Sequence, residues 1–221
     1  MAKIVQIAEL SVYGEEDEVL LENLSFTVER GEIAQLPTLS EIQYETLFDV
    51  LAGNLSPNSG QVVLGDRNIV RLSQKARKKM LRDEVSFLPR NFVLPENKTV
   101  SESLEFKFKI TGAGPDIPER LNEVLELTDL KPNAEQLPRE TSGVDQLKTA
   151  LAISIATRPD LLVCHKPFPG LNSKEIEEVI KLLTRINEQH NLSALLLTDV
   201  INDNFDGVNV IESNLDSRVV N

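Results

Sequence analysis

The chain has 221 residues, enough to bury a sizeable core as one large domain or a core with a subdomain, and 41% hydrophobic with 26% charged residues is an ordinary globular composition. Its net charge of −12 disfavours sequence-independent nucleic-acid binding, which depends on lysine and arginine neutralising phosphates. No run reaches the ~18 apolar residues that a membrane span needs, and the single cysteine, Cys164, excludes an internal disulfide and fits a reducing, cytosolic compartment.

Taken in order, residues 2–12 alternate and predict a strand rather than a signal peptide. Residues 19–29 predict a further strand pair, closed by a tight turn at Arg30-Gly31-Glu32, so the chain begins as an antiparallel β-layer. A short apolar strand over 32–36 then leads into a helix over 40–52, with Ser40 placed to cap its start and Gly53 just past its end. A turn at Pro57–Gly60 feeds a strand over 61–65, a basic helix covers 74–82, and a strand over 84–88 stops at Pro89. The basic run Lys75–Lys79 reads first as a solvated helix face, with contact to anionic lipid or a partner as the alternative.

Helical spacing marks 99–109 and 116–128, separated by Gly112, Gly114, Pro115 and Pro118, and a long apolar helix follows over 144–157. These form a helical subdomain over 90–156, inserted between core segments 1–89 and 157–221. The strands 160–164 and 193–198 are almost wholly apolar, as strands buried on both faces are, and flank a helix over 173–189 with Asn172 and Glu175 at capping-box spacing. His190 at that helix's end suits the dipole, and the tail 206–221 holds one or two short strands. Alternating apolar strands and helices predict an α/β domain with a parallel sheet.

The stretch Gly31–Gly53 has the strand–turn–helix frame in which a phosphate-binding loop sits, yet it holds neither an internal glycine nor a lysine. The connecting phrases Glu22–Ile33, Leu51–Val62, Asn91-Phe92 with Leu94-Pro95 and Thr99-Val100, and Arg158–Val163 resemble those of ATP-binding cassette ATPase domains over about residues 3–212. Within that family the chain most resembles the branch serving lipoprotein release, macrolide export and cell division. The resemblance implies a P-loop NTPase-like fold: a mixed or parallel core sheet, an antiparallel β-layer and a helical subdomain.

The family's functional motifs are replaced throughout. In the phosphate loop, which cradles phosphates with backbone N–H groups, a lysine and a metal-binding hydroxyl, the glycine, lysine and hydroxyl positions fall on Thr38, Gln43, Tyr44 and Glu45. Glu41 lies within the loop, and Thr46 resumes the family helix. The strand that ends in Asp-Glu in the family ends here in His165-Lys166, and the glutamine loop and switch histidine fall on Arg90 and Asp199. The signature reads Thr141-Ser142-Gly143-Val144-Asp145, the aspartate after the catalytic strand is Asn172, and Tyr13 stands where an aromatic stacks on adenine.

These substitutions lead to an expectation of a degenerate cassette subunit with no catalytic residues, in which ATP and Mg²⁺ are lost. It acts as a scaffold or regulator of an integral membrane permease docked in a groove near Arg90–Val100, peripheral at the inner face of the membrane. A second cassette subunit is a further partner; an active heterodimer and a soluble module without a membrane partner are the alternatives. The exchange of acidic for basic positions predicts ion pairing across the vacated pocket, with Glu45 opposite Lys166. The adjacent Cys164 and His165 are two ligands without a third, so no metal site is expected.

Overall fold

A computed structural model describes residues 2–112, 116–200 and 207–214. Two sheets organise them. Strands β1 (Lys3–Tyr13), β2 (Val19–Glu29), β4 (Ser59–Leu64) and β5 (Arg67–Asn68) form an antiparallel sheet in the order β2-β1-β4-β5. Strands β3 (Ile33–Leu36), β6 (Val85–Leu88), β7 (Leu161–His165), β8 (Ser193–Leu197) and β9 (Val208–Val210) form a parallel sheet in the order β6-β7-β8-β3-β9. Residues 19–29 make one bulged strand, not the expected pair. Asn23 takes a left-handed φ of 52° and donates its N–H to Ser11 Oγ at 3.0 Å, so the ladder absorbs the break in alternation.

The helices are α1 (Glu41–Ala52), α2 (Gln74–Glu84), α3 (Val100–Thr111), α4 (Ile117–Leu127), α5 (Gly143–Ile155) and α6 (Ser173–His190). The expected caps are present. Ser40 and Gln43 form a capping box at α1, Gly53 closes that helix at φ 76°, and Asn172 with Glu175 forms the capping box of α6. Gly112 closes α3; the predicted tail supplies strand β9, while Gly114, Pro115, residue 206 and residues 215–221 lie outside the described residues.

Three apolar clusters hold these layers. One joins the antiparallel sheet, α1 and one face of the parallel sheet, and includes Leu10, Leu24, Leu47, Leu51 and Leu195. A second lies on the opposite face under α5 and α6. A third is local to the helical segment, with Leu104, Phe108, Val124 and Leu130 meeting Ala152 of α5 and Ala156, the residue that caps its end.

The sheet order fixes where chemistry can gather. β3, β6, β7 and β8 run parallel, so their carboxyl ends open on one edge, where ligands of open α/β sheets bind. The residues at or just past those ends are Pro37–Ser40, Pro89–Arg90, His165–Lys166 and Thr198–Asp199.

Candidate functional site

Beyond β3 the chain turns through Thr38, which has φ 67° and bonds its own neighbour's carbonyl, and enters α1. The Ser40 N–H donates to Gln43 Oε1 at 2.9 Å and the Gln43 N–H to Ser40 Oγ at 3.3 Å. That box starts the helix at Glu41, so positions 41–45 are helical rather than a phosphate-cradling loop. Tyr44 turns inward. It is 0% exposed, lies in the apolar cluster between the sheets, and donates its hydroxyl to Leu36 O at 3.1 Å. Thr46 is buried and Glu45 is exposed.

Four charged groups meet at the amino end of α1. Arg90 Nη1 donates to Glu41 Oε2 at 2.9 Å, Lys166 Nζ donates to Glu41 Oε1, and Lys166 Nζ lies 3.5 Å from Asp199 Oδ2. The Lys166 ammonium also sits 5.1 Å from the centre of the Tyr44 ring, and its side chain is only 12% exposed. The Lys166 backbone takes φ 44° and ties its N–H to Leu197 O at 2.9 Å, which points the side chain back over α1. The Lys166 hydrogen bond, with the positive charges of Lys166 and Arg90, holds the Glu41 carboxyl below its ordinary range.

The predicted charge pairing across the pocket is thus present, with a different partner. Lys166 takes Glu41 and Asp199, while Glu45 has no ion pair among the described residues. Glu45 sits one helical turn, about 5.4 Å, further along α1. It borders a cleft of about 530 Å³ lined by Glu41, Phe48, Asp49, Pro89, Arg90, Asn91 and His165. Asp49 was not anticipated, although it follows Glu41 and Glu45 at the same four-residue spacing. His165 packs 5.3 Å from Phe48, and its buried Nε2 has no hydrogen-bond partner among the described residues. Burial is the main cause of its lowered pKa, and it also pushes the Cys164 thiol well up.

The signature-like residues start α5. Ser142 caps the helix, accepting from Asp145 N at 3.2 Å and donating Oγ to Asp145 Oδ2 at 2.6 Å. Gly143 opens the helix, and Val144 is buried in the core. Tyr13 is exposed at the end of β1, where its N–H donates to Asn58 Oδ1 at 2.9 Å. His190 lies in the last turn of α6, with Nε2 3.8 Å from Glu123 Oε1. In the segment expected to receive a permease, Phe92 and Leu94 pack against the core, whereas Val93 is 87% exposed.

Among the described residues no cluster of three histidines, cysteines or carboxylates could hold a metal ion. The donors at the amino end of α1 suit an anion: two cations converge there, now satisfied by Glu41.

The family model described as ABC transporter matches residues 21–168. A methionine import ATP-binding protein, MetN, of Carboxydothermus hydrogenoformans is 30% identical over 196 residues, covering 88% of this chain and 58% of that protein. A MetN of Staphylococcus epidermidis is 28% identical over 199 residues, covering 90% of this chain and 58% of the relative. The chain thus spans little more than half the length of these curated relatives. Among solved structures, cbiO1 of Clostridium perfringens, part of the ABC transporter complex cbiONQ, superposes with a TM-score of 0.81 at 20% identity, covering 96% of this chain and 86% of that one. The cassette MJ0796, dimeric and bound to ADP and Pi, gives 0.73 at 23%, covering 89% and 88%. These structures share the fold.

The expectation of lost ATP and Mg²⁺ is overturned. The relatives matched across most of this chain are named ATP-binding proteins, and a cassette of the same fold is described with ADP and Pi. In the structure two cations, Lys166 and Arg90, stand over the amino end of α1 where the loop lacks its lysine, and the Tyr44 ring is turned into the core.

Proposed function

The chain belongs to the ABC transporter family, and from that premise we propose that it is a nucleotide-binding cassette subunit of a membrane permease complex with little or no hydrolysis of its own. The observation that carries this reading is Lys166. A cation, tied between Glu41 and Asp199, occupies the strand end where the family resemblance calls for carboxylates. A lysine ammonium in this ion pair has no carboxylate oxygen with which to orient a water or take its proton. Arg90 and Lys166 are the groups that would hold phosphates, in exchange for Glu41. Nucleotide binding is brought to this chain by the names of its relatives.

In this reading the subunit sits peripherally at the inner face of the membrane, as scaffold or regulator, and Val93 on the 90–100 segment meets the permease. The resemblance to the lipoprotein-release, macrolide-export and cell-division branch bears on which permease that is, as do the methionine import names of the relatives. The dimeric state of MJ0796 supports a second reading, an active site shared with another cassette subunit.

The test is a pair of assays on the purified chain: binding of a fluorescent ATP analogue with Mg²⁺, and phosphate release. Saturable binding without phosphate release above background supports the proposal. Sustained turnover, alone or with an added cassette partner, favours the shared-site reading. Turnover restored by Tyr44→Lys alone would also overturn it, because Lys166 would still stand at the strand end.

A further inference from the structure

We infer that the outer face of α2 is a docking surface for an anionic lipid surface, independent of any permease. Lys78 and Lys79 lie three and four residues after Lys75, and Arg82 lies four and three residues after them, so the four share one face of the helix. All four are exposed, while Met80 and Leu81 bury the opposite face in the core between the sheets. Among the described residues Lys75, Lys78 and Lys79 make no ion pair, and Arg82 bonds only its neighbour Asp83, at 2.7 Å. Elsewhere Arg30, Arg67, Lys148, Arg158 and Arg185 each hold a carboxylate from a distant part of the chain. The face therefore carries three lysines without an ion pair among the described residues, with Arg82 beside Asp83, in a chain whose net charge is −12.

Apolar side chains continue that row. Arg82 shares a cleft with Ile110, Thr111 and Gly112 at the end of α3. Ile110 is 64% exposed, and Phe106, one turn back on the same helix, is 51% exposed with Lys98 Nζ 5.5 Å from its ring centre. Clustered basic residues beside exposed large apolar ones match the chemistry of a headgroup layer, which offers negative charge at its surface and hydrocarbon just beneath.

Charge complementarity also chooses the occupant. The shallow surface over α2 is lined by Gln74, Lys75, Lys78, Lys79 and Arg82. It is built on a helix and presents no strand edge to pair with a peptide backbone, one of the features by which peptides are recognised. A lipid surface needs no such feature: it takes positive charge, with the apolar side chains of Ile110 and Phe106 beside it. It would also orient the molecule, because the acidic remainder of the surface is repelled from it.

The experiment is co-sedimentation of the full chain with phosphatidylcholine vesicles and with vesicles containing phosphatidylserine. Wild type should pellet only with the anionic vesicles and be released as salt rises. At roughly fivefold per basic residue, the exposed-surface variant Lys75→Gln/Lys78→Gln/Lys79→Gln should partition roughly a hundredfold more weakly. Its melting curve should be unchanged, since glutamine keeps helix propensity. Ile110→Ser should bind more weakly at every salt concentration, because its contribution is not electrostatic. Equal sedimentation with neutral and anionic vesicles, or undiminished binding by the triple variant, overturns the inference. So does a wild type that ignores vesicles but binds poly-glutamate, which would assign the surface to an acidic protein.

Discussion

Tyr44 gives the sharpest test of how the site is built, because its role in this fold is structural. Its ring is fully buried in the cluster between the two sheets, its hydroxyl donates to Leu36 O at 3.1 Å, and the Lys166 ammonium rests 5.1 Å from the ring centre. Tyr44→Ala removes a large buried aromatic from a well-packed core, which costs about 3–5 kcal/mol. Tyr44→Phe keeps the ring and its contact with Lys166 but leaves the Leu36 carbonyl without that donor, a loss of about 1 kcal/mol. For a chain of this size about 2–4 °C of melting temperature goes with each kcal/mol. The alanine variant should therefore melt roughly 6–20 °C lower and the phenylalanine variant only a few degrees lower. Urea titration followed by circular dichroism measures both, provided the slope is unchanged. If Tyr44→Ala cost under about 1 kcal/mol, the ring would not be a core member. The space it occupies would then be open to a ligand.

Three further outcomes follow from the same geometry. In a double-mutant cycle, Glu41→Gln and Lys166→Met should be non-additive, with a coupling that shrinks as salt is added; strict additivity would mean the bridge contributes nothing in solution. His165 is held below its ordinary pKa chiefly by burial, so the unfolded chain takes a proton that the folded chain refuses. Its contribution to stability is then present above the ordinary histidine pKa of about 6.5 and is lost as pH falls through the lowered value. Urea midpoints measured between about pH 7 and pH 5 should fall less steeply for His165→Gln than for wild type. Gly60→Ala should be severely destabilising, by more than about 1 kcal/mol, since φ is +95° and an added Cβ would stand 2.5 Å from Glu9 O; a melting temperature equal to wild type would contradict that reading.

The sequence carried the frame because each part of the frame is a local or periodic property. Ser40, Gly53 and Asn172 announce helix ends through caps that need only their own neighbours, and the apolar runs at 160–164 and 193–198 can be satisfied only as buried parallel strands. The pairing of charges is not local. Glu41 and Glu45 lie on the same face of α1 and differ by a single turn, and sequence spacing gives no reason to prefer either for Lys166. The choice belongs to the end of β7, where a left-handed Lys166 backbone tied to Leu197 sets the ammonium over the first turn of the helix. The same blindness produced the mistaken loss of nucleotide. A tally of charges along residues 38–45 finds repulsion, because the cations that offset it arrive from 45 and 121 residues further on, at Arg90 and Lys166. In an open parallel sheet the electrostatics of any one loop are set by the ends of the neighbouring strands. The charge that a phosphate would meet at α1 therefore depends on whether Glu41 holds those two cations or releases them, and a substitution at Glu41 should alter anion affinity more than one at Glu45.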